Sequence, residues 1–179
     1  MTNLTINLPV RKSYHKFNLE RWKEICDDPR LVGLPGKFET NRYGNIVMMP
    51  PASGKHSSFQ GEIVFQLRTL LGGKALPECP ISTINGVRAA DVGWYSSERF
   101  DTVKGQMVFE RAPEICVEIL SPDNSDREME EKRQLYFQAG ADECWICDLE
   151  GEMGFYLSSD PDRKLEHSET CPDFPSSVE

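Results

Sequence analysis

No apolar run in this chain of 179 residues approaches bilayer length, so a membrane-spanning helix is not expected. Positive charge is also short. Lys and Arg number 20 against 29 Asp and Glu, a net charge of −9. Duplex binding is driven by cations meeting phosphates, so this balance argues against broad electrostatic coating of nucleic acid but leaves room for a local basic groove. Internal repeats and low-complexity blocks are absent. The opening Met1-Thr2-Asn3-Leu4-Thr5-Ile6 lacks the basic start and apolar block of a signal peptide, so a cytoplasmic protein is expected. The six cysteines lack a metal-type arrangement: Cys144-x-x-Cys147 has no second pair, and residues three apart on a strand face opposite ways. Reduced core thiols are the reading that remains.

What is there suits a soluble globular protein, with 39% hydrophobic and 27% charged residues over a length that fits one domain, 1–179. A short helix is expected near residues 19–27, with Asn18 as cap. Lys37 to Met49 reads as a hairpin turned near Tyr43-Gly44. Ser53 to Leu71 carries Phe59, Ile63, Gln66, Leu67 and Leu70 at helical spacing, stopped by Gly72-Gly73. Strands follow near Ala75–Cys79, Val87–Tyr95 and Glu114–Leu120, with a polar excursion at Ser96–Ala112 whose length suggests a short helix or a functional loop. Asp126 to Ala139 predicts a second helix, with Ser125 and Glu128 as a capping box and Gly140 as its stop. Two further strands, Asp142–Leu149 and Met153–Leu157, are turned at Glu150-Gly151. After Ser158 the chain becomes polar, with Pro161, Pro172 and Pro175, and a weakly held tail is expected. This order implies an α/β fold, a mixed sheet flanked by helices with an N-terminal hairpin annex.

Two acids stand out because they lie in apolar strands. Glu118 is embedded in Ile115-Cys116-Val117-Glu118-Ile119-Leu120, and Asp91 in Val87-Arg88-Ala89-Ala90-Asp91-Val92-Gly93-Trp94. A strand apolar on both faces is normally central, and a carboxylate there needs a cation, a hydrogen bond or a proton. Met129, Lys132, Tyr136 and Ala139 share one helical face, so Lys132 falls on the buried side and can return toward Glu118, with Arg133 beside it. Two carboxylates suit a hard divalent ion that prefers oxygen ligands, and a nearby ammonium can stabilise developing negative charge. The plainer alternative is an inert network: a Glu118–Lys132 ion pair, with Asp91 capping a bulge or binding Arg88.

The stretch Arg88 to Trp94, the string APEICVEILSPDNSDREMEEKRQLYFQAGADECWICDLEG and the earlier KFETNRYGNIVMMPPASGKHSSFQGEI together resemble the Uma family of restriction endonucleases, within the PD-(D/E)xK nuclease superfamily. The resemblance covers about residues 37–157, leaving about 158–179 as the polar tail. It implies a restriction-endonuclease-like fold and a Mg2+-dependent endonuclease, with Mn2+ as the alternative ion, hydrolysing DNA phosphodiesters. Asp91 matches the first acid of the motif, although Ala90 replaces the usual proline. Glu118 matches the second acid. Leu120 stands where the motif's lysine belongs, and Lys132 matches the position to which that lysine has migrated. Asp91 and Glu118 are thus the implied metal ligands and Lys132 the implied catalytic cation. Glu62, Glu39 and His56 also match family-like positions as additional site residues, each with a plainer reading as a flanking, strand or capping residue. A homodimer is expected by analogy, since duplex cleavage often needs two sites. The alternative function is a non-catalytic nucleic-acid- or protein-binding module on the same fold.

Overall fold

The computed structural model describes residues 13–31 and 33–179. In chain order its elements are α1 (Tyr14–Asp27), β1 (Lys37–Thr40), β2 (Ile46–Met49), α2 (Gly54–Leu71), β3 (Lys74–Thr83), β4 (Gly86–Tyr95), α3 (Ser97–Val103), β5 (Ile115–Ile119), α4 (Asp126–Gln138), β6 (Glu143–Cys147), β7 (Met153–Leu157) and β8 (Asp160–Leu165). A serine caps each helix. Ser13, Ser53, Ser96 and Ser125 accept from the backbone N–H of the residue three positions on, satisfying a donor that has no partner within the helix.

Six strands form one sheet in the order β3-β4-β5-β6-β7-β8, and β1 and β2 form a separate hairpin. The only parallel pair among these strands is β5–β6. A parallel connection needs a crossover, and α4 supplies it. The mixed sheet with flanking helices and a hairpin annex is the architecture the sequence implies.

The sheet separates two cores. On one face Phe59, Ile63 and Leu67 of α2 pack with Val117, Ile119, Trp145 and Phe155. On the other Tyr136 of α4 packs with Cys116, Cys144 and Tyr95. All five residues of β5 are buried, and their alternation decides what each face receives. Val117 and Ile119 go toward α2, and Cys116 goes toward α4.

Two local expectations need correction, and a third is made specific. First, α1 begins at Tyr14 and is capped by Ser13, not Asn18. Asn18 is buried, and its amide donates to Ser82 Oγ (2.9 Å) and Thr83 O (2.8 Å), fixing α1 on β3. Second, of the two contents expected for the Ser96–Ala112 excursion it holds the short helix, α3, and it returns to the sheet through a parallel bridge between Ile81 and Phe109. Third, the C-terminal segment is firmly held. It adds β8 to the sheet, buries Cys171, Phe174 and Val178, and closes an aromatic cluster of Trp145, Phe155 and Phe174. The buried Glu143 carboxylate fastens it by accepting from Ser168 Oγ (2.7 Å) and Thr170 N (2.6 Å). Three scattered apolar residues among polar ones have no period to read, which is why the sequence suggests a loose tail.

The candidate active site at the end of β4 and β5

The antiparallel pairing of β4 with β5 runs through Trp94↔Ile115, Gly93↔Cys116 and Val92↔Val117. Asp91 and Glu118 are the next residues on the two strands, so the acids flank the point where the ladder stops. The cause is a fault in the pleat of β4. Ala90 packs into the α4-side core and Val92 into the α2-side core, whereas residues two apart on a regular strand share a face. On β3 the facing stretch contains Glu78, whose φ is +50°, between the regular pairs Pro77↔Val92 and Cys79↔Ala90. Asp91 spans the gap with its side chain: Oδ2 accepts from Ile119 N at 2.7 Å.

Glu118 is completely enclosed by α4. Lys132 Nζ donates to Oε2 at 2.9 Å, and the Tyr136 hydroxyl donates to Oε1. Glu39 reaches the same ammonium at 3.4 Å, accepts from Ala89 N (3.1 Å), and faces Arg88 Nη1 at 3.6 Å. Burial pushes the Glu118 carboxyl upward, Lys132 opposes the shift, and the Asp91 charge reinforces it; the net direction is up. Burial works against the Lys132 ammonium, but Glu118 and Glu39 outweigh it and raise its pKa. Tyr136 is raised well above its ordinary value by burial and by Glu118, so it remains an O–H donor.

Asp91 has different company. Lys37 Nζ lies 2.6 Å from Oδ1 and His56 Nε2 lies 3.5 Å from the same atom. Lys37 arrives because β1 lies across β4, held by Val87 N to Thr40 Oγ1 (2.9 Å) and Arg88 Nη1 to Thr40 O (2.5 Å). His56 arrives from the first turn of α2. Burial would raise the Asp91 carboxyl, but the His56 hydrogen bond, Lys37 and Ile119 N together hold it well below its ordinary 3.8. Asp91 therefore stays ionised.

The fold thus gathers Asp91, Glu118, Lys132, Glu39 and His56 into one buried cluster. It does not bring in Glu62, which lies on α2 and accepts from Gln66 Nε2 at 2.7 Å, nor Arg133, which stacks on the Tyr156 ring at 4.0 Å. Arg88 serves Glu39 rather than Asp91. Sequence reasoning missed Lys37. Nothing in its local pattern marks it, since its placement depends on how the hairpin docks. It also placed Tyr136 on the helical face of Lys132 without its hydrogen bond to Glu118. A depression of about 490 Å3 lined by Asn85, Arg127, Glu130, Glu131, Gln134 and Leu135 lies elsewhere and includes none of these groups.

The donor chemistry suits a hard cation of low protein coordination. Among the described residues no group of three or more His, Cys, Asp and Glu is arranged to hold a metal. Two carboxylates beside a ladder end are nevertheless the usual provision for an ion that keeps several waters. A cation already sits against Asp91 in the form of the Lys37 ammonium, so the position supports positive charge.

The family model "Uma2: Putative restriction endonuclease" matches residues 27–176. A crystal structure described as "a putative nuclease belonging to DUF820 from Anabaena variabilis" is similar over 80% of this chain and 90% of its own, at 21% identity and a TM-score of 0.63. The chain accordingly shares the fold of that structure. No curated protein sequence matches the chain. Among the described residues no helix is long and apolar enough to cross a membrane.

Proposed function

The chain belongs to the Uma2 family, described as "Putative restriction endonuclease", and from that premise we propose a metal-dependent endonuclease acting on DNA phosphodiesters. One observation carries the reading: two carboxylates from different strands lie at a ladder end, one held ionised and the other bonded to a buried lysine and tyrosine. Asp91 and Glu118 would hold a divalent cation, Mg2+ or Mn2+. When bound, such an ion supplies Lewis acidity toward a phosphoryl oxygen and lowers the pKa of a water.

The protein's own groups divide the remaining work. Asp91 is fixed at Oδ2 by Ile119 N, so its orientation is set before the substrate arrives. Lys132 provides a fixed positive charge that stabilises charge developing on the phosphorane oxygens. Its raised pKa assigns it as an ammonium, a donor and electrostatic partner rather than a base. Tyr136 fixes the Glu118 carboxylate from the other side. His56 reaches Asp91 Oδ1 at 3.5 Å from the first turn of α2 and helps to hold that carboxylate ionised. Glu39 orients Lys132 by sharing its charge with Glu118.

The decisive experiment is cleavage of supercoiled plasmid by the full chain with Mg2+ or Mn2+, alongside Asp91→Asn and Glu118→Gln. Both variants should lose about a hundred- to a thousandfold in rate while retaining the wild-type circular dichroism, the scale for removing a group that stabilises the transition state. Cleavage by either variant at the wild-type rate removes the proposal.

A non-catalytic binding module on the same fold has two observations in its favour. The net charge is −9, and both oxygens of Glu118 are already satisfied by the protein itself. Plasmid nicking with Mg2+ and Mn2+ separates the two readings, and calorimetric titration with Mn2+ singles out an inert charge network, which takes up no ion.

A further inference from the structure

Lys37 plays no part in the reaction as described, yet it makes the shortest ionic contact to Asp91, at 2.6 Å, with both side chains largely buried. Its ammonium also has a second carboxylate within reach. Glu78 Oε2 lies 3.5 Å away on the solvent side, and the Glu78 side chain is about half exposed at 47%. Glu78 is held ready. Gln60 Nε2 donates to Glu78 Oε1 (3.0 Å) and to the Asp91 main-chain oxygen (2.7 Å), tying the outer acid to the inner one. The position of Glu78 is further fixed by the kink at φ +50° where β3 leaves its regular pairing.

We propose that Lys37 is a resident counter-cation occupying the seat of the divalent ion, and that ion binding drives its ammonium from Asp91 to Glu78. The proposal rests on the reading of Asp91 and Glu118 as the cation's ligands. A divalent cation and an ammonium at contact distance on one carboxylate oxygen repel strongly in a poorly screened interior, so the ion displaces the singly charged group. Lysine is suited to leaving, being a compact point charge on a flexible four-carbon stem. Lys132 is not, because it is enclosed between Glu118 and Glu39. Movement of Lys37 would also be felt by the hairpin, since Lys37 is the first residue of β1 and pairs with Met49 on β2. The metal-free protein thereby keeps its inner carboxylate neutralised.

The test is isothermal titration of the full chain with MnCl2, comparing the wild type with Lys37→Met, Lys37→Gln, Glu78→Gln and Asp91→Asn. Removing the competing charge should tighten Mn2+ binding by about tenfold or more in both Lys37 variants, the scale of one close like-charge contact in partly screened surroundings. Glu78→Gln removes the second acceptor and should weaken binding by about threefold through the same electrostatics. Asp91→Asn should abolish binding. Using two Lys37 variants guards against one that folds poorly, and circular dichroism of each checks this. If the wild type binds Mn2+ through Asp91 but both folded Lys37 variants bind equally or more weakly, the displacement is wrong and the cation site stands. If neither the wild type nor the Lys37 variants bind Mn2+, the cation site itself is wrong and the displacement falls with it.

Discussion

Lys132 donates to Glu118 across 2.9 Å, and the same ammonium lies 3.4 Å from Glu39 on the hairpin. One lysine thus ties the sheet, the crossover helix and the annex together. Arg88 extends the network by facing the other oxygen of Glu39 at 3.6 Å. Four ionisable groups consequently hold each other in place across the α4 side of β4 and β5. Such an arrangement is both a structural clamp and a preorganised electrostatic site, and the two roles separate only under mutation.

Replacing Lys132 by Met leaves Glu118 and Glu39 buried without their shared cation. Breaking one side of a buried pair typically costs about 3–5 kcal/mol, and that loss is expected at neutral pH. The Glu118 carboxyl is already raised by burial, and removing Lys132 raises it further. The variant should therefore recover stability as the pH falls and Glu118 takes up a proton. Urea unfolding at pH 7 and at about pH 5 would show the difference, and adding Glu118→Gln should recover part of the loss at pH 7. Equal destabilisation at both pH values would show that Lys132 acts through packing and not through charge.

Asp91 gives the opposite pH signature. Its folded carboxyl lies below the ordinary 3.8. The ionised form is therefore favoured by folding, and this stability is fully present above that value and is lost as the pH falls through the folded one. Between about pH 4 and pH 2 the wild type should lose more stability than Asp91→Asn, which carries no titrating group there. Acid titration followed by circular dichroism checks this. Parallel acid curves for the two proteins would contradict the assignment.

The acids could be found in the sequence because a charged residue inside an apolar strand is rare and costly. Lys132 could be found because its helix has a clear periodicity. Lys37 could not, since it lies at the start of a short strand and gains its meaning only when β1 lies across β4. Glu62 is offered by the family resemblance, with a plainer reading as a flank to Ile63; on α2 its carboxylate accepts from Gln66. The cysteines behaved as alternation requires: Cys144 packs on the α4 side and Cys147 on the α2 side, so the C-x-x-C spacing makes no pair. The closing segment was invisible because what holds it, Glu143 and the Trp145–Phe155 aromatic pair, lies elsewhere in the chain.

That segment predicts a measurable stability. Phe174 is buried and stacks at 4.6 Å from Trp145. Phe174→Ala should cost about 3–5 kcal/mol, the range for truncating a buried aromatic ring. Chemical denaturation should show the loss as a lower midpoint with an unchanged slope. A loss under about 0.5 kcal/mol, the scale of an exposed substitution, would mean that the segment is peripheral.

The thiols offer an independent check on the core. All six cysteines are free, and Cys26 is the exposed one. Burial pushes Cys79 and Cys147 up to about 12, and raises Cys116 and Cys144 in the same direction. Only a thiolate reacts with a disulfide reagent, and access is required as well. Burial of Cys26 is slight, but together with Asp27 it raises that thiol too. Labelling of the native protein should therefore be slow and stop at one thiol, while the denatured chain gives six. Reductant should leave the unfolding midpoint unchanged. Rapid modification of a second thiol in the native state would mean that the sheet opens on the labelling timescale, and the protected residue that reacts would identify which of the two cores opens.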